Sequence, residues 1–182
     1  MKFYKEIQRV ILPRSTIQKA KDFANAVTDT TNYSDSNQNT RLKIINDHFV
    51  SKLGEEAAWF VFQKYTLISQ PDYAIYSLKE KSWKHDLFTN ATSIAVKTQK
   101  RSAAKKYSLS WTFQCGAFRS DPILQQPKSW VVFVELDDLS EGAVCYVYPP
   151  FRIEELLFQG PVLLYLKDHK KVVYANTLKL IE

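Results

Sequence analysis

Residues 41–65 form the longest stretch of the chain with one hydrophobic period, and this stretch limits the possible folds more than any other feature. Its apolar side chains recur on one helical stripe, at Leu42, Ile45, Phe49, Leu53, Ala57, Phe60 and Val61. Gly54 lies within the stripe, where glycine costs about 1 kcal/mol relative to alanine, so it predicts a kink, a junction or a close approach. A long amphipathic helix with this pattern is expected to pack against a sheet.

The pattern after residue 70 changes to short strands. Strands are predicted for "PDYAIYS", "WKHDLF", "SIAVKTQ", "YSLSWTF", "SWVVFVEL", "AVCYVYP", "VLLYL" and "KKVVYANTL". The first three of these strands are separated by short polar turns and predict a meander. A short helix is predicted for "RIEELLF". The sequence therefore predicts an α+β fold in which helices flank a mixed central β-sheet.

The first 40 residues predict two helices and a polar loop. Apolar positions in residues 3–27 recur at helical spacing, with an interruption at Pro13. Residues 28–40 are polar and predict a loop. No Pro-, Gly- or Ser-rich linker separates two cores, so we predict one domain over residues 1–182. Within it, 1–40 would hold the helices and loop, 41–115 the central core, and 116–182 the strands that complete the sheet.

Charge and composition favour a polyanionic partner only modestly. The chain has 25 Lys and Arg against 19 Asp and Glu, a net charge of +6 that an ordinary basic protein could also carry. The two cysteines lie far apart with no CxxC motif, which argues against a zinc knuckle and is compatible with a reducing cytoplasm. We expect no signal peptide and no membrane span, because no apolar run approaches about 18 residues.

Two ionisable residues stand on neighbouring predicted strands that are otherwise apolar. Asp86 lies in "WKHDLF" and Lys97 in "SIAVKTQ", and a hairpin brings them together if they point to the same face. Strand alternation puts Lys97 on one face with Ser93, Ala95 and Gln99. The pair is either a surface contact between strands, worth about 0.2–1 kcal/mol, or part of a site that cleaves phosphodiesters.

The order of these segments resembles a nuclease core. "KLGEEAAWFVFQKY", "PDYAIY", "WKHDL" and "SIAVKTQ" are similar to the helix, strand, strand with Asp and strand with Lys of the PD-(D/E)XK nuclease superfamily, especially small type II restriction endonuclease-like proteins. The resemblance covers residues 40–115. It implies a restriction-endonuclease-like fold, with 41–115 as the catalytic core. It also implies Mg²⁺-dependent hydrolysis of phosphodiester bonds in double-stranded DNA at a specific sequence.

The resemblance also implies a role for individual residues. Asp86 corresponds to the main carboxylate ligand of the metal, and Lys97 to the lysine that orients or deprotonates the attacking water. Glu55 resembles the helix glutamate that serves as a further metal or water ligand, and the main-chain carbonyl of Val96 could also coordinate. Gln99 could hold a water or a phosphate oxygen. Hard oxygen ligands of this kind suit Mg²⁺.

Three positions leave alternatives open. Ala95 stands where the family carries Asp or Glu. Either a carboxylate has moved to another element, or the protein is a catalytically inactive DNA-binding relative, or the residue was substituted to abolish activity. Asp72, which follows Pro71, is an alternative first carboxylate if the strands are shifted. Glu55 is either a ligand or, with Glu56, part of the solvated face of its helix.

A dense basic run follows the candidate lysine. Lys100, Arg101, Lys105 and Lys106 are predicted either to lie on a solvated loop or helix face or to contact the DNA backbone. A symmetric double-strand cut would favour a homodimer. The remaining alternative is a structural or protein-interaction domain that does not bind DNA.

Overall fold

The computed structural model describes residues 4–30, 40–76, 86–90, 92–117, 119–139 and 142–180, and it has a mixed α+β fold, as predicted. The helices are α1 (Arg14–Thr28), α2 (Arg41–Phe62) and α3 (Arg101–Tyr107). The strands are β1 (Gln8–Ile11), β2 (Leu87–Phe88), β3 (Ser93–Lys100), β4 (Ser110–Gly116), β5 (Arg119–Ser120), β6 (Trp130–Asp137), β7 (Val144–Val147), β8 (Phe151–Arg152) and β9 (Lys170–Tyr174). Short 3₁₀ helices lie at Pro122–Gln125, Ile153–Glu155, Leu164–Leu166 and Ala175–Thr177.

The larger sheet is mixed, which confirms the predicted sheet type. Its main path is β1-β7-β6-β3-β2, and β8 pairs with β6 outside this path. β3 and β6 are parallel, whereas the other described pairs of this sheet are antiparallel. A smaller sheet has the order β5-β4-β9. β3 therefore has a long partner in β6 on one side and only the two-residue β2 on the other.

Helix α2 covers one face of the larger sheet. The Thr40 side chain caps its first turn by accepting a hydrogen bond from the Lys43 backbone N–H at 3.4 Å. Apolar residues of α2 pack with those of β3 and β6, among them Leu53, Ala57, Val61, Ile94, Val96, Val132 and Val134. A Cβ on Gly54 would lie 1.8 Å from Thr98 Oγ1, so the glycine marks a close approach between helix and strand. That alternative among the three predicted for Gly54 is confirmed.

The opposite face of the sheet carries a second apolar cluster. Ala95 lies in it beside Trp111, Phe113 and Phe133. The Trp111 ring stacks on Phe133 with centroids 4.5 Å apart, and its Nε1 donates a hydrogen bond to the Val134 carbonyl at 3.0 Å. β3 is therefore packed on both faces, and its alternation follows the predicted division between Ile94 and Val96 on one side and Ala95 on the other.

Two predicted elements near the chain start and the core are wrong. The first of the two N-terminal helices is instead β1, which pairs with β7, because its four residues alternate in burial and β7 offers a free edge. Residues 71–76 form no strand, because the Asp72 carboxylate accepts a hydrogen bond from the Ala74 N–H at 2.8 Å and holds a local turn. The predicted meander therefore loses its first strand.

Two predictions near the chain end also differ from the structure. "VLLYL" forms a 3₁₀ helix at Leu164–Leu166, while Gln159 takes the bridge position beside Val172. Pro161 lies between Gln159 and this 3₁₀ helix. Because it lacks an N–H, it cannot extend the pairing of Gln159 with Val172 into a strand. The helix in "RIEELLF" is limited to the 3₁₀ turn at Ile153–Glu155.

The remaining predictions fall partly beyond the described residues. Residues 31–39 of the predicted loop and 83–85 of the predicted strand lie outside the described ranges. Within those ranges, no helix combines the length and apolar character that a membrane crossing requires.

Candidate functional site

Asp86 is held at the point where β2 meets β3. The ladder pairs Leu87 with Ile94, so Asp86 is the next residue outward along the shorter strand. Its Oδ2 accepts a hydrogen bond from the Val96 backbone N–H at 2.7 Å. The carboxylate thus takes the place of a main-chain partner on the free side of β3, and this contact fixes its position.

Lys97 lies on the face of β3 that alternation predicts, with Ala95 and Gln99. Its Nζ donates to Asp121 Oδ2 at 2.7 Å and lies 4.9 Å from the centroid of the Phe113 ring. Asp121 Oδ2 also accepts from the Gln114 N–H at 3.0 Å. The side chains of Lys97 and Asp121 retain 23% and 22% exposure, so this ion pair is open to solvent.

Asp86 and Lys97 line one cleft of about 580 Å³. β3 contributes residues 95–100 to its lining and α2 its N-terminal half, and the remaining residues include parts of β4, residues 121–123, Ala103 and Lys170. Ala95, Gln99 and Asp121 belong to the same lining. The volume falls within the range of about 300–1,000 Å³ that is typical of ligand pockets. The structure therefore brings the predicted aspartate and lysine together in a cleft large enough to bind a ligand.

Burial raises the pKa of Asp86 above its ordinary value, and the charge of Asp121 acts in the same direction. The hydrogen bond from Val96 and the charges of Lys97 and Lys52 oppose the rise. A carboxyl group with a raised pKa in a cleft beside specific charged partners is typical of functional sites.

Glu55 lies close enough to Asp86 for their charges to interact, but it is not among the residues that line the cleft. Lys52 Nζ donates to Glu55 Oε2 at 2.5 Å and to the Asp72 carbonyl at 2.7 Å. Burial raises the pKa of Glu55 to about 8, and the charge of Asp86 adds to the rise. The structure thus puts the helix glutamate in a sealed ion pair rather than in the cleft.

The alternative reading of Glu55 and Glu56 as a solvated helix face is wrong. Their relative exposures are 6% and 5%. The Tyr73 hydroxyl donates to Glu56 Oε1 at 2.8 Å, and Lys52 bonds to the carbonyl of Asp72. Residues 71–76 thus bond to this side of α2, where Tyr73 is the partner of Glu56 and the Asp72 carbonyl holds Lys52, the partner of Glu55.

Asp72, the alternative first carboxylate, is engaged in its own loop. Besides the bond from Ala74, its carboxylate accepts a hydrogen bond from the Tyr76 hydroxyl at 2.6 Å. Asp72 does not line the cleft that holds Lys97. Asp86 is the one of the two that the structure brings to the lysine.

Two other predicted site residues are used within the protein. Gln99 Oε1 accepts a hydrogen bond from the Ser110 backbone N–H at 2.8 Å and so ties β3 to β4. The Val96 N–H bonds to Asp86, whereas metal coordination by the Val96 carbonyl stays a prediction. Gln99 nevertheless lines the cleft, and its amide nitrogen, Nε2, lies 3.5 Å from Ser110 Oγ.

The basic run divides into two parts. Arg101 pairs with Glu135 at 2.6 Å and with Asp137, and its guanidinium lies over the Tyr146 ring. Lys100 lies 3.6 Å from Asp138. Lys105 and Lys106 are exposed on the last turn of α3, and neither forms an ion pair with any residue that the structure describes. The second part is therefore better placed than Arg101 to contact an external anion.

Asp121 is the site residue that sequence reasoning missed. It stands between β5 and the 3₁₀ helix Pro122–Gln125 and reaches Lys97 because β4 and β5 fold back over β3. A sequence separation of 24 residues hides this contact, and the only local signal is an Asp before a Pro. Its carboxylate lies in the same cleft as Ala95, a position at which the chain itself carries no acid.

Two carboxylates of the cleft, those of Asp86 and Asp121, are candidate ligands for a metal ion. The described residues contain no group of three or more His, Cys, Asp or Glu side chains that could hold a metal. Mg²⁺ usually takes only one or two carboxylates, together with waters and substrate phosphates. Asp86 and Asp121 could supply these two.

Comparisons of the chain with protein-family models, with curated protein sequences and with solved structures gave no match. The case for a function therefore depends on the cleft and its side chains.

Proposed function

We propose that this protein is a Mg²⁺-dependent DNA endonuclease of the restriction type, which hydrolyses phosphodiester bonds in double-stranded DNA. The observation that supports it best is the grouping of Asp86, Lys97 and Asp121 in one cleft. A carboxylate, a lysine and a second carboxylate are the groups that metal-assisted phosphodiester hydrolysis uses. Their arrangement also offers a replacement for the acid that is missing at Ala95.

Each residue has a specific task in this proposal. Asp86 and Asp121 would hold the Mg²⁺, which would supply charge stabilisation at the phosphoryl oxygens and a lower pKa of bound water. Lys97 donates hydrogen bonds from Nζ to the attacking water or to a phosphate oxygen. Its Nζ lies 2.7 Å from Asp121 Oδ2. Phe113 lies beneath the ammonium group and limits its movement.

The surrounding surface suits the DNA backbone. Lys105 and Lys106 on α3 and Lys43 on α2 are exposed, and Lys43 belongs to the cleft lining. Phosphate contacts by such side chains supply affinity without sequence preference and depend steeply on salt. A symmetric cut would require a homodimer, and a chain with two free cysteines fits the cytoplasm.

Plasmid nicking tests this proposal directly. Supercoiled plasmid is incubated with the protein in Mg²⁺ or in EDTA, at several salt concentrations. We expect the wild type to cleave the plasmid in Mg²⁺ but not in EDTA. The Asp86→Asn and Lys97→Met variants should not cleave it in either condition. Asp22→Asn and Lys21→Met, on the exposed side of α1, are the matched controls and should cleave normally. Cleavage that survives Asp86→Asn would exclude this site.

A second candidate function is DNA binding without catalysis. It is favoured by Ala95 and by the small number of carboxylates around the described cleft. It predicts salt-dependent DNA binding with no strand breakage in Mg²⁺. The Ala95→Glu variant separates the two functions, because residue 95 lines the cleft two positions before Lys97. The added carboxylate should increase cleavage by an active enzyme, and an absence of cleavage in both proteins would favour the binding module.

A further inference from the structure

The N-terminal half of α2 presents a polar face to the cleft. The residues that line it, Lys43, Asn46, Asp47, Val50 and Ser51, recur at intervals of three and four, which is one side of a helix. Val50 also belongs to the hydrophobic core, whereas the four polar residues of this face are not among the buried residues of α2. The polar positions therefore face the cleft and not the sheet.

Asn46 has no structural partner that would explain it. It is half-buried, lies well inside α2, and its amide makes no hydrogen bond to any of the residues that the structure describes. Asparagine is a poorer helix former than alanine, so helix formation does not explain its presence at this position. Its neighbours Lys43 and Asp47 differ, because they pair with each other at 3.4 Å.

The charge of the cleft is nearly balanced. Four lysines (Lys43, Lys97, Lys100 and Lys170) and three aspartates (Asp47, Asp86 and Asp121) line it. Lys43, Lys97 and Lys100 each lie within ion-pair distance of an aspartate. A groove that only tracked phosphates would be more strongly positive. Amide and hydroxyl side chains, including Asn46, Ser51 and Thr112, make up much of the remaining polar lining.

We propose that Asn46 hydrogen-bonds the edge of a base, preferably adenine, next to the phosphodiester bound at Asp86 and Lys97. The inference rests on the proposed function for the class of ligand. An amide offers one acceptor and two donors, which match the N6 amino group and the N7 acceptor of adenine in a bidentate contact. A phosphate offers acceptors only, and the cleft already supplies lysines for it.

Binding selection without metal tests this contact. Short duplexes with a randomised central stretch are bound in EDTA by the wild type, by Asn46→Ala and by Asn25→Ala, and the bound fraction is sequenced. Asn25 is the matched control, because it is exposed on α1 and its amide bonds only the Lys21 carbonyl at 2.9 Å. The adenine found by selection is then replaced with 7-deazaadenine, which lacks the N7 acceptor, and affinity is measured by fluorescence anisotropy.

We expect the wild type and Asn25→Ala to enrich adenine at one position and to prefer it over 7-deazaadenine by roughly 5- to 150-fold, the discrimination of a bidentate contact. Asn46→Ala should bind both duplexes equally well while keeping its thermal stability. The same adenine preference in Asn46→Ala, or no adenine enrichment in the wild type, would overturn the inference.

The readout separates this inference from the proposed hydrolysis. Adenine-dependent binding through Asn46 in a protein that never cleaves plasmid would contradict the nuclease proposal and leave the base contact standing. Cleavage whose sequence preference is unchanged in Asn46→Ala would support the nuclease proposal and overturn the base contact. No DNA binding at low salt would refute both.

Discussion

Two lysine–carboxylate pairs of similar length lie on either side of Asp86 in very different surroundings. Lys52 and Glu55 are 2.5 Å apart, and their side chains are both 8% exposed. Lys97 and Asp121 are 2.7 Å apart, and their side chains are 23% and 22% exposed. The first pair is sealed beneath residues 71–76, whereas the second opens into the cleft. Burial, and not the ion-pair distance, separates a pair that holds the fold from a pair that can exchange partners with a ligand.

Physical chemistry explains why these pairs should respond differently to mutation. Breaking a buried pair leaves an unpaired charge in the interior, which typically costs about 3–5 kcal/mol. Breaking a more exposed pair usually costs about 1 kcal/mol or less, because water replaces the lost partner. Stability should therefore depend on the sealed pair, and activity on the open one.

The largest expected change in stability comes from Lys52→Met. The variant removes both the bond to Glu55 and the bond to the Asp72 carbonyl, so in urea denaturation above about pH 8, where Glu55 is charged, the free energy of unfolding should fall by about 3–5 kcal/mol. Lys97→Met, the matched change in the open pair, should lose about 1 kcal/mol or less. Equal losses in the two variants would remove the distinction between the pairs.

The pH dependence of stability sharpens the same comparison. The pKa of Glu55 is raised to about 8 from an ordinary value of 4.5, so the folded state binds a proton more tightly than the unfolded state. Its contribution is fully present below the ordinary pKa and is lost as the pH rises through about 8. The free energy of unfolding should therefore decline between these values.

Glu55→Gln should flatten this decline, as measured by thermal unfolding over a pH series. The matched control is Glu6→Gln on the exposed surface, which should leave the decline unchanged. A decline that persists in Glu55→Gln would assign it to other groups.

Activity should depend on the open pair. Lys97→Met removes the only lysine side chain shown to bond Asp121, and we expect cleavage to fall by about 100-fold or more, the usual contribution of a proton-handling group. Stability should change little. Single-turnover cleavage at saturating DNA separates this effect from weaker binding, and unchanged cleavage would remove Lys97 from the proposed mechanism.

The contact that joins α2 to β3 should give an intermediate effect. Gly54→Ala would put a methyl group 1.8 Å from Thr98 Oγ1, which forces the helix away from the strand. Overpacking of this kind costs about 1–3 kcal/mol. The Gly54→Ala, Thr98→Ala double variant should regain part of the loss. A loss that the second change does not reduce would show that the strain has another origin.

The smallest effect is expected on the outer surface. Lys105→Ala and Lys106→Ala should leave stability unchanged, because neither side chain pairs with a described residue. Each should lower the slope of log affinity against log salt by about 0.9 if it contacts a phosphate of duplex DNA. An unchanged slope would place the DNA elsewhere. Arg101→Ala should instead reduce stability, since it breaks the pairs with Glu135 and Asp137.

Local periodicity was enough to predict much of the fold. The helical stripe predicted α2 over nearly its full length, and alternation predicted β3, including the face of Lys97. These elements are long and their burial is decided by residues close in sequence. The short segments failed where a distant edge decided the outcome, as for β1 on β7.

The amino-acid sequence by itself determined the α+β class, the strand with Lys97 and the aspartate before it, because these depend on local spacing. Only the tertiary structure decided which carboxylates reach the lysine. Folding of β4 and β5 over β3 brings Asp121 to Lys97, and residues 71–76 seal Glu55 with Lys52. Contacts between residues far apart in the chain, and the burial they create, have no periodic signal in the sequence.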